Sequence, residues 1–161
     1  MHQTHKDYLR SSLFGIQDAL TSTGGAVVGI AIGSHDQKII MLAGVVIVLV
    51  EAISMAASEF VSNETIHQID KKDLDNVYVS SFIMFVSYFV AGFIPVLPYL
   101  LFPLPQSIYL SIILSLLGLC ALGVAKGIIS KTSLYRNSLE VMVIGGVAAI
   151  MGFLVGYIFK I

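Results

Sequence analysis

Charge is what this chain has least of. Only 12% of its 161 residues are Asp, Glu, Lys or Arg, about half the roughly 25% of an ordinary soluble domain. Hydrophobic residues make up 57%, which leaves little room for a separate soluble domain. The formal net charge of −1 excludes the basic surface that nucleic-acid binding needs. The single cysteine, Cys120, excludes an internal disulfide. Set in an apolar run, it reads as a small packing residue. There is no nucleophile–base pair, phosphate loop or metal-hydrolase motif, so the chain is not expected to be an enzyme or to hold a cofactor. His2, His5 and His35 lack metal-site spacing. No linker, low-complexity tract or convincing repeat divides the chain, and residues 1–161 read as one transmembrane domain. The polar start MHQTHKDYLR is followed by no small-residue cleavage pattern, so the first apolar segment is expected to be a retained helix.

What the chain has is long apolar runs. Five reach the roughly 20 residues needed to span a bilayer, near 12–33, 39–61, 78–102, 107–129 and 137–159. The breaks between them are polar or proline-rich: Gly33 to Gln37, Asn63 to Asn76, Pro103-Leu104-Pro105, and Ser130 to Asn137. The expected fold is an all-α integral membrane bundle of five transmembrane helices. Lys and Arg set its direction. Lys6, Arg10, Lys71, Lys72, Lys126, Lys131 and Arg136 fall on one side; Lys38 and Lys160 fall on the other. The N-terminus is expected in the cytosol and the C-terminus across the membrane. Pro95 and Pro98 should bend the third span locally.

Inside these runs sit a few expensive groups. The segment EAISMAASE places Glu51, Met55 and Glu59 one helical turn apart on one stripe. The first run carries a further acid, Asp18. Ionisable groups at membrane depth are functional-site candidates. Asp18 and Met55 each lie about six residues from the same end of antiparallel spans, or ~9 Å in depth, so they can meet. Glu59 is nearer that end and Glu51 is near the midplane. Thr21, Ser22, Ser54 and Ser58 flank the acids and could donate to them or coordinate an ion; the plainer role for each is to bond backbone or glue helices. Carboxylate oxygens with a thioether suit a transition-metal ion. Gly25-x-x-x-Gly29-x-x-x-Gly33 lets helices approach closely, either inside one chain or as the seam of a two-fold dimer that would double the ligand set. Glu64, His67 and Asp70 lie in the polar connector after the second span. They could gather cations at the cytosolic mouth, or simply be solvated.

At these residues the chain resembles the vacuolar iron transporter family. FGIQDALTSTGGAVVGIA resembles that family's first helix, AISMAASEFVS its second-helix signature, and FVAGFIPVLPYLL its third helix. The resemblance implies five spans and a homodimer with the ion path between subunits. It also implies export of ferrous iron, and often manganese, from the cytosol in exchange for protons. It carries roles onto Asp18, Met55 and Glu59. Two departures stand out. Many members insert a cytosolic metal-collecting domain after the second helix, where this chain has only Asn63 to Val77, so it is expected to be a short form. The family also has a small residue where Glu51 stands and an acid near the position of Ile47.

The expected function is therefore transport of Fe²⁺ or Mn²⁺ out of the cytosol by proton antiport, through a homodimer in a bacterial or archaeal cell membrane. The metal would enter past Glu59, rest between Asp18 and Met55, and leave past Glu51. The rival expectation is a non-transporting membrane assembly subunit. In that case the same acids are protonated and structural.

Overall fold

The computed structural model describes residues 3–70 and 75–160, and the side chains of all of these except residues 3, 4, 67, 70, 75 and 76. Five helices account for nearly all of it: α1 (Gln3–Ser34), α2 (Gln37–Asp70), α3 (Asp75–Leu101), α4 (Gln106–Ser130) and α5 (Leu134–Ile158). In hydrocarbon a helix is the local way to satisfy every backbone N–H and C=O, so long apolar runs become helices whatever their intrinsic propensities. The turns have specific chemistry. His35 takes a left-handed φ of 52° between α1 and α2. Asp36 then caps α2, its Oδ1 accepting from the backbone N–H of Lys38 at 2.8 Å. Lys131 takes φ 55° after α4, and the Ser133 hydroxyl accepts from the Arg136 N–H to start α5.

α1 is the axis of the bundle. It touches all four other helices, whereas α2 packs on α3 and α1, and α5 on α1 and α4. Paired residues give the directions. Gly15 of α1 lies beside Met84 and Ser87 of α3, and Gly24 beside Pro95, so α1 and α3 run parallel. Gly25, Gly29 and Gly33 face Ala148, Gly152 and Gly156, so α5 is parallel as well. Arg10 pairs with Glu59, and Ser22 with Glu51, so α2 is antiparallel to α1. One buried cluster joins Ala19 and Leu20 to Ala52, Tyr88, Leu119 and Val141. A second joins Val27 and Ala31 to Ile40, Val48, Val96 and Tyr99.

α2 to α5 are each long and apolar enough to cross a membrane. α1 is long enough at 32 residues, but it carries Gln17, Asp18, Thr21, Ser22 and Thr23 near its middle. Its central place explains the difference: neighbouring helices shield it from lipid, so it tolerates polar groups that a lipid-facing helix does not.

One sequence expectation changes. The connector expected from Asn63 is still helix, because α2 continues to Asp70. α3 carries Pro95 and Pro98 inside the helix and ends at Leu101. The glycine stripe of α1 is met from within the chain. A Cβ on Gly25 would lie 2.8 Å from the Ala148 carbonyl oxygen, and one on Gly29 would lie 2.6 Å from that of Gly152. Gly25, Gly29 and Gly33 therefore pack on α5 inside the chain and also line the open groove between the two helices. The reason is that α5 presents a matching pair, Gly152 and Gly156, and two small-residue faces tethered in one chain meet at high effective concentration.

Candidate transport site

Three acids lie on the facing sides of α1 and α2, and the fold treats each differently. Glu59 is nearly buried, its side chain 10% exposed. Its Oε1 accepts from Ser11 Oγ at 2.6 Å, Asn63 Nδ2 at 3.0 Å and Arg10 Nη2 at 3.1 Å. Asn63 also donates to Ser80 Oγ on α3 at 3.0 Å. This network ties α1, α2 and α3 together where α1 begins. Arg10 is largely exposed, so its ion pair adds little by itself, of order 0–1 kcal/mol. The fully buried Ser11 and the helical Asn63 supply the fixed donors.

Glu51 lies two turns along the same stripe. Its Oε2 accepts from Ser22 Oγ at 3.1 Å and from the Tyr88 hydroxyl. Tyr88, on α3 and 0% exposed, also lies 2.7 Å from Ser22 Oγ and 3.4 Å from Thr23 Oγ1. The acid is therefore satisfied by neutral hydroxyls alone. Sequence reasoning missed Tyr88, Asn63, Arg10 and Ser11. A tyrosine in an apolar run reads as packing, and Asn63 falls where a connector was expected.

Asp18 contrasts with both. It is half-buried on α1 and makes no side-chain hydrogen bond among the described residues. The Glu51 carboxylate acts on it electrostatically. Burial first, and that neighbouring carboxylate second, oppose a bare charge there, and a proton or a cation relieves both. Met55, half-buried on α2, packs against the cluster that contains Ala19 and Leu20, the residues immediately after Asp18.

The remaining candidates divide. Ser22 joins the site. The Thr21 hydroxyl is buried without a hydrogen-bond partner, at the inner end of an apolar groove of about 680 Å³ between α1 and α5. Ser54 and Ser58 are exposed on the outer surface of α2 and do not reach the acids. Of the mouth residues, Glu64 accepts from Gln68 on the same helix, while the side chains of His67 and Asp70 lie outside the described residues. Glu140 pairs with Lys126 across α4 and α5 at 3.5 Å. Among the described residues, no three His, Cys, Asp or Glu side chains come close enough to hold a metal alone. The chemistry one chain offers is an uncommitted carboxylate, a second carboxylate clasped by hydroxyls, and a thioether.

Comparison with known proteins bears on this arrangement. Vacuolar iron transporter 1 of Arabidopsis thaliana is 31% identical over 86 residues, 53% of this chain and 34% of the relative. Vacuolar iron transporter 1 of Eucalyptus grandis is 28% identical over the same length and shares. The match thus spans about a third of the length of these curated relatives. The sequence pattern of the VIT family matches residues 9–76 and 65–157, nearly the whole chain. With its α-helical bundle of membrane-crossing length, this chain is a multi-pass membrane protein and belongs to the VIT family.

Proposed function

We propose that this protein carries divalent transition-metal ions, Fe²⁺ or Mn²⁺, out of the cytosol in exchange for protons. The observation that carries the reading is Asp18: a half-buried acid at membrane depth with no hydrogen-bond partner among the described residues, under the field of a second acid. Such a group lacks a counter-charge, and a cation supplies one. Met55 at the neighbouring level adds a soft donor that favours transition metals over Mg²⁺ and Ca²⁺. Family membership and the names of the two plant relatives support the same cargo class.

In this reading α1 is the fifth crossing, residues 1–161 act as one transmembrane domain, and the face where α1 begins is cytosolic. An entering ion meets Glu59 first and must compete there with Arg10, Ser11 and Asn63. It rests at Asp18 and Met55, then leaves past Glu51. Because one chain offers few ligands, two copies complete the coordination shell as a homodimer. Protons return on the carboxylates that the metal vacates, since metal and proton compete for the same lone pairs. A bacterial or archaeal cell membrane is the proposed location.

The test is uptake of Fe²⁺, Mn²⁺, Co²⁺ and Zn²⁺ into proteoliposomes, with and without a proton gradient. Transport of at least one ion, accelerated by an opposing proton gradient and lost in Asp18→Asn, is the expected result. Absence of flux for every ion from well-folded protein would favour the assembly-subunit alternative.

A further inference from the structure

The Tyr88 hydroxyl is where three helices meet. It donates to Glu51 of α2 and contacts Ser22 and Thr23 of α1 at 2.7 and 3.4 Å, while its ring is locked in the core beside Ala19, Ala52 and Leu119. Ser22 Oγ, with a single proton, donates either to the same Glu51 oxygen or to the Tyr88 oxygen. Oε2 of Glu51, the Tyr88 hydroxyl and Ser22 Oγ therefore form a closed triangle of contacts. An oxygen that accepts from the Tyr88 hydroxyl with Ser22 Oγ alongside has its lone pairs engaged. A cation can use them only after the hydroxyls let go. Asp18 asks for no such displacement. The two acids thus differ in what an ion must break in order to engage both oxygens of the carboxylate.

We propose that Tyr88 is a positioning residue that controls when Glu51 engages the ion. Its hydroxyl competes with the cation for the carboxylate and holds Glu51 against α1 until a sufficiently charged ion arrives. The inference rests on the transport reading above and deepens it. The cost of displacing the hydroxyls is the same for every ion, but the attraction that repays it grows with ionic charge. The clasp therefore penalises monovalent cations more than divalent ones. It also lets the ion leave again, because the hydroxyls recapture the carboxylate behind it. Tyr88 touches Glu51 rather than the ion at rest, so its effect passes through Glu51.

Tyr88→Phe keeps the buried ring and removes only the competing oxygen. Initial Mn²⁺ uptake into proteoliposomes, measured across Mn²⁺ concentrations for wild type, Tyr88→Phe, Glu51→Gln and the double variant, tests the proposal. We expect Tyr88→Phe to lower KM threefold or more and to slow turnover, because the ion now binds an unopposed carboxylate. In the Glu51→Gln background the same change should leave KM within 1.5-fold. A Tyr88→Phe KM equal to wild type overturns the proposal. So does an equal KM change with and without Glu51, since a merely structural tyrosine would act regardless of it. Should Tyr88→Phe fail to give a monodisperse protein, Ser22→Ala removes the other donor and is expected to lower KM in the same direction; an unchanged KM there overturns the proposal. A wild type that carries no divalent ion sinks the transport reading itself, whereas normal transport with indifferent clasp variants sinks only the role of Tyr88.

Discussion

An acid inside a bilayer is tolerated by pairing with a cation, by accepting hydrogen bonds, or by holding a proton. Glu59 uses the first two and Glu51 the second. Asp18 makes no hydrogen bond among the described residues, which makes it the group to alter first. Asp18→Asn removes the charge at constant shape. Mn²⁺ flux is expected to fall tenfold or more, with an unchanged elution profile in detergent. Met55→Leu preserves volume but removes the sulfur lone pairs. Uptake by the two variants in parallel should show Mn²⁺ flux kept within threefold, because carboxylate and water suit Mn²⁺ without sulfur, and the preference for Fe²⁺ over Mn²⁺ reduced. Ser11→Ala deletes the nearest donor to Glu59 among the described residues, 2.6 Å away. It leaves a nearly buried carboxylate one hydrogen bond short, which costs on the order of 1–3 kcal/mol; a lower midpoint of denaturation in mixed micelles is the readout. Asp18, Glu51 and Glu59 were legible in the sequence as charges out of place. Their partners were not, since a buried serine or tyrosine carries no mark of what it bonds to.

At the scale of helices, the α1–α5 seam holds the closest approach at any glycine among the described residues. A Cβ on Gly152 would sit 1.9 Å from the Gly25 carbonyl oxygen, and one on Gly156 would sit 2.1 Å from that of Gly29. Both obstacles are backbone, so the helices must part. Gly152→Ala is expected to destabilise by about 1–3 kcal/mol or more, the usual scale of overpacking. Gly146, on the same helix, has nothing within 4 Å of its would-be Cβ, and Gly146→Ala should leave the thermal midpoint in detergent unchanged. The glycine spacing announced a close approach but not its partner. Any small-residue stripe can serve within a chain or between chains, and the matching stripe on α5, more than a hundred residues away, is what packs on this one inside the chain. The second helix shows a similar limit: Asn63 to Asp70 are polar, which reads as a connector, yet they extend α2 and carry a donor to Glu59.

For the molecule as a whole, direction depends on the Lys and Arg bias, which is a property of the loops and not of the packing. The start of α1 and the end of α5 lie on opposite faces, since α1 and α5 run parallel through the bundle. In a Cys120→Ala background, Lys6→Cys should react with an impermeant maleimide only from the cytosolic side and Lys160→Cys only from the other. Labelling of both from one side would overturn the proposed topology.

The number and order of the helices were decided by the sequence alone, though not the far end of α2. Hydrocarbon obliges each span to satisfy its own backbone locally, so apolar runs and polar breaks suffice to locate them. What only the tertiary structure decided is which helix lies at the centre and which acid stays uncommitted. Those depend on donors brought from separate helices. Ser11 reaches Glu59 across 48 positions and Tyr88 reaches Glu51 across 37. A hydrogen bond between residues so far apart exists only once the helices have packed.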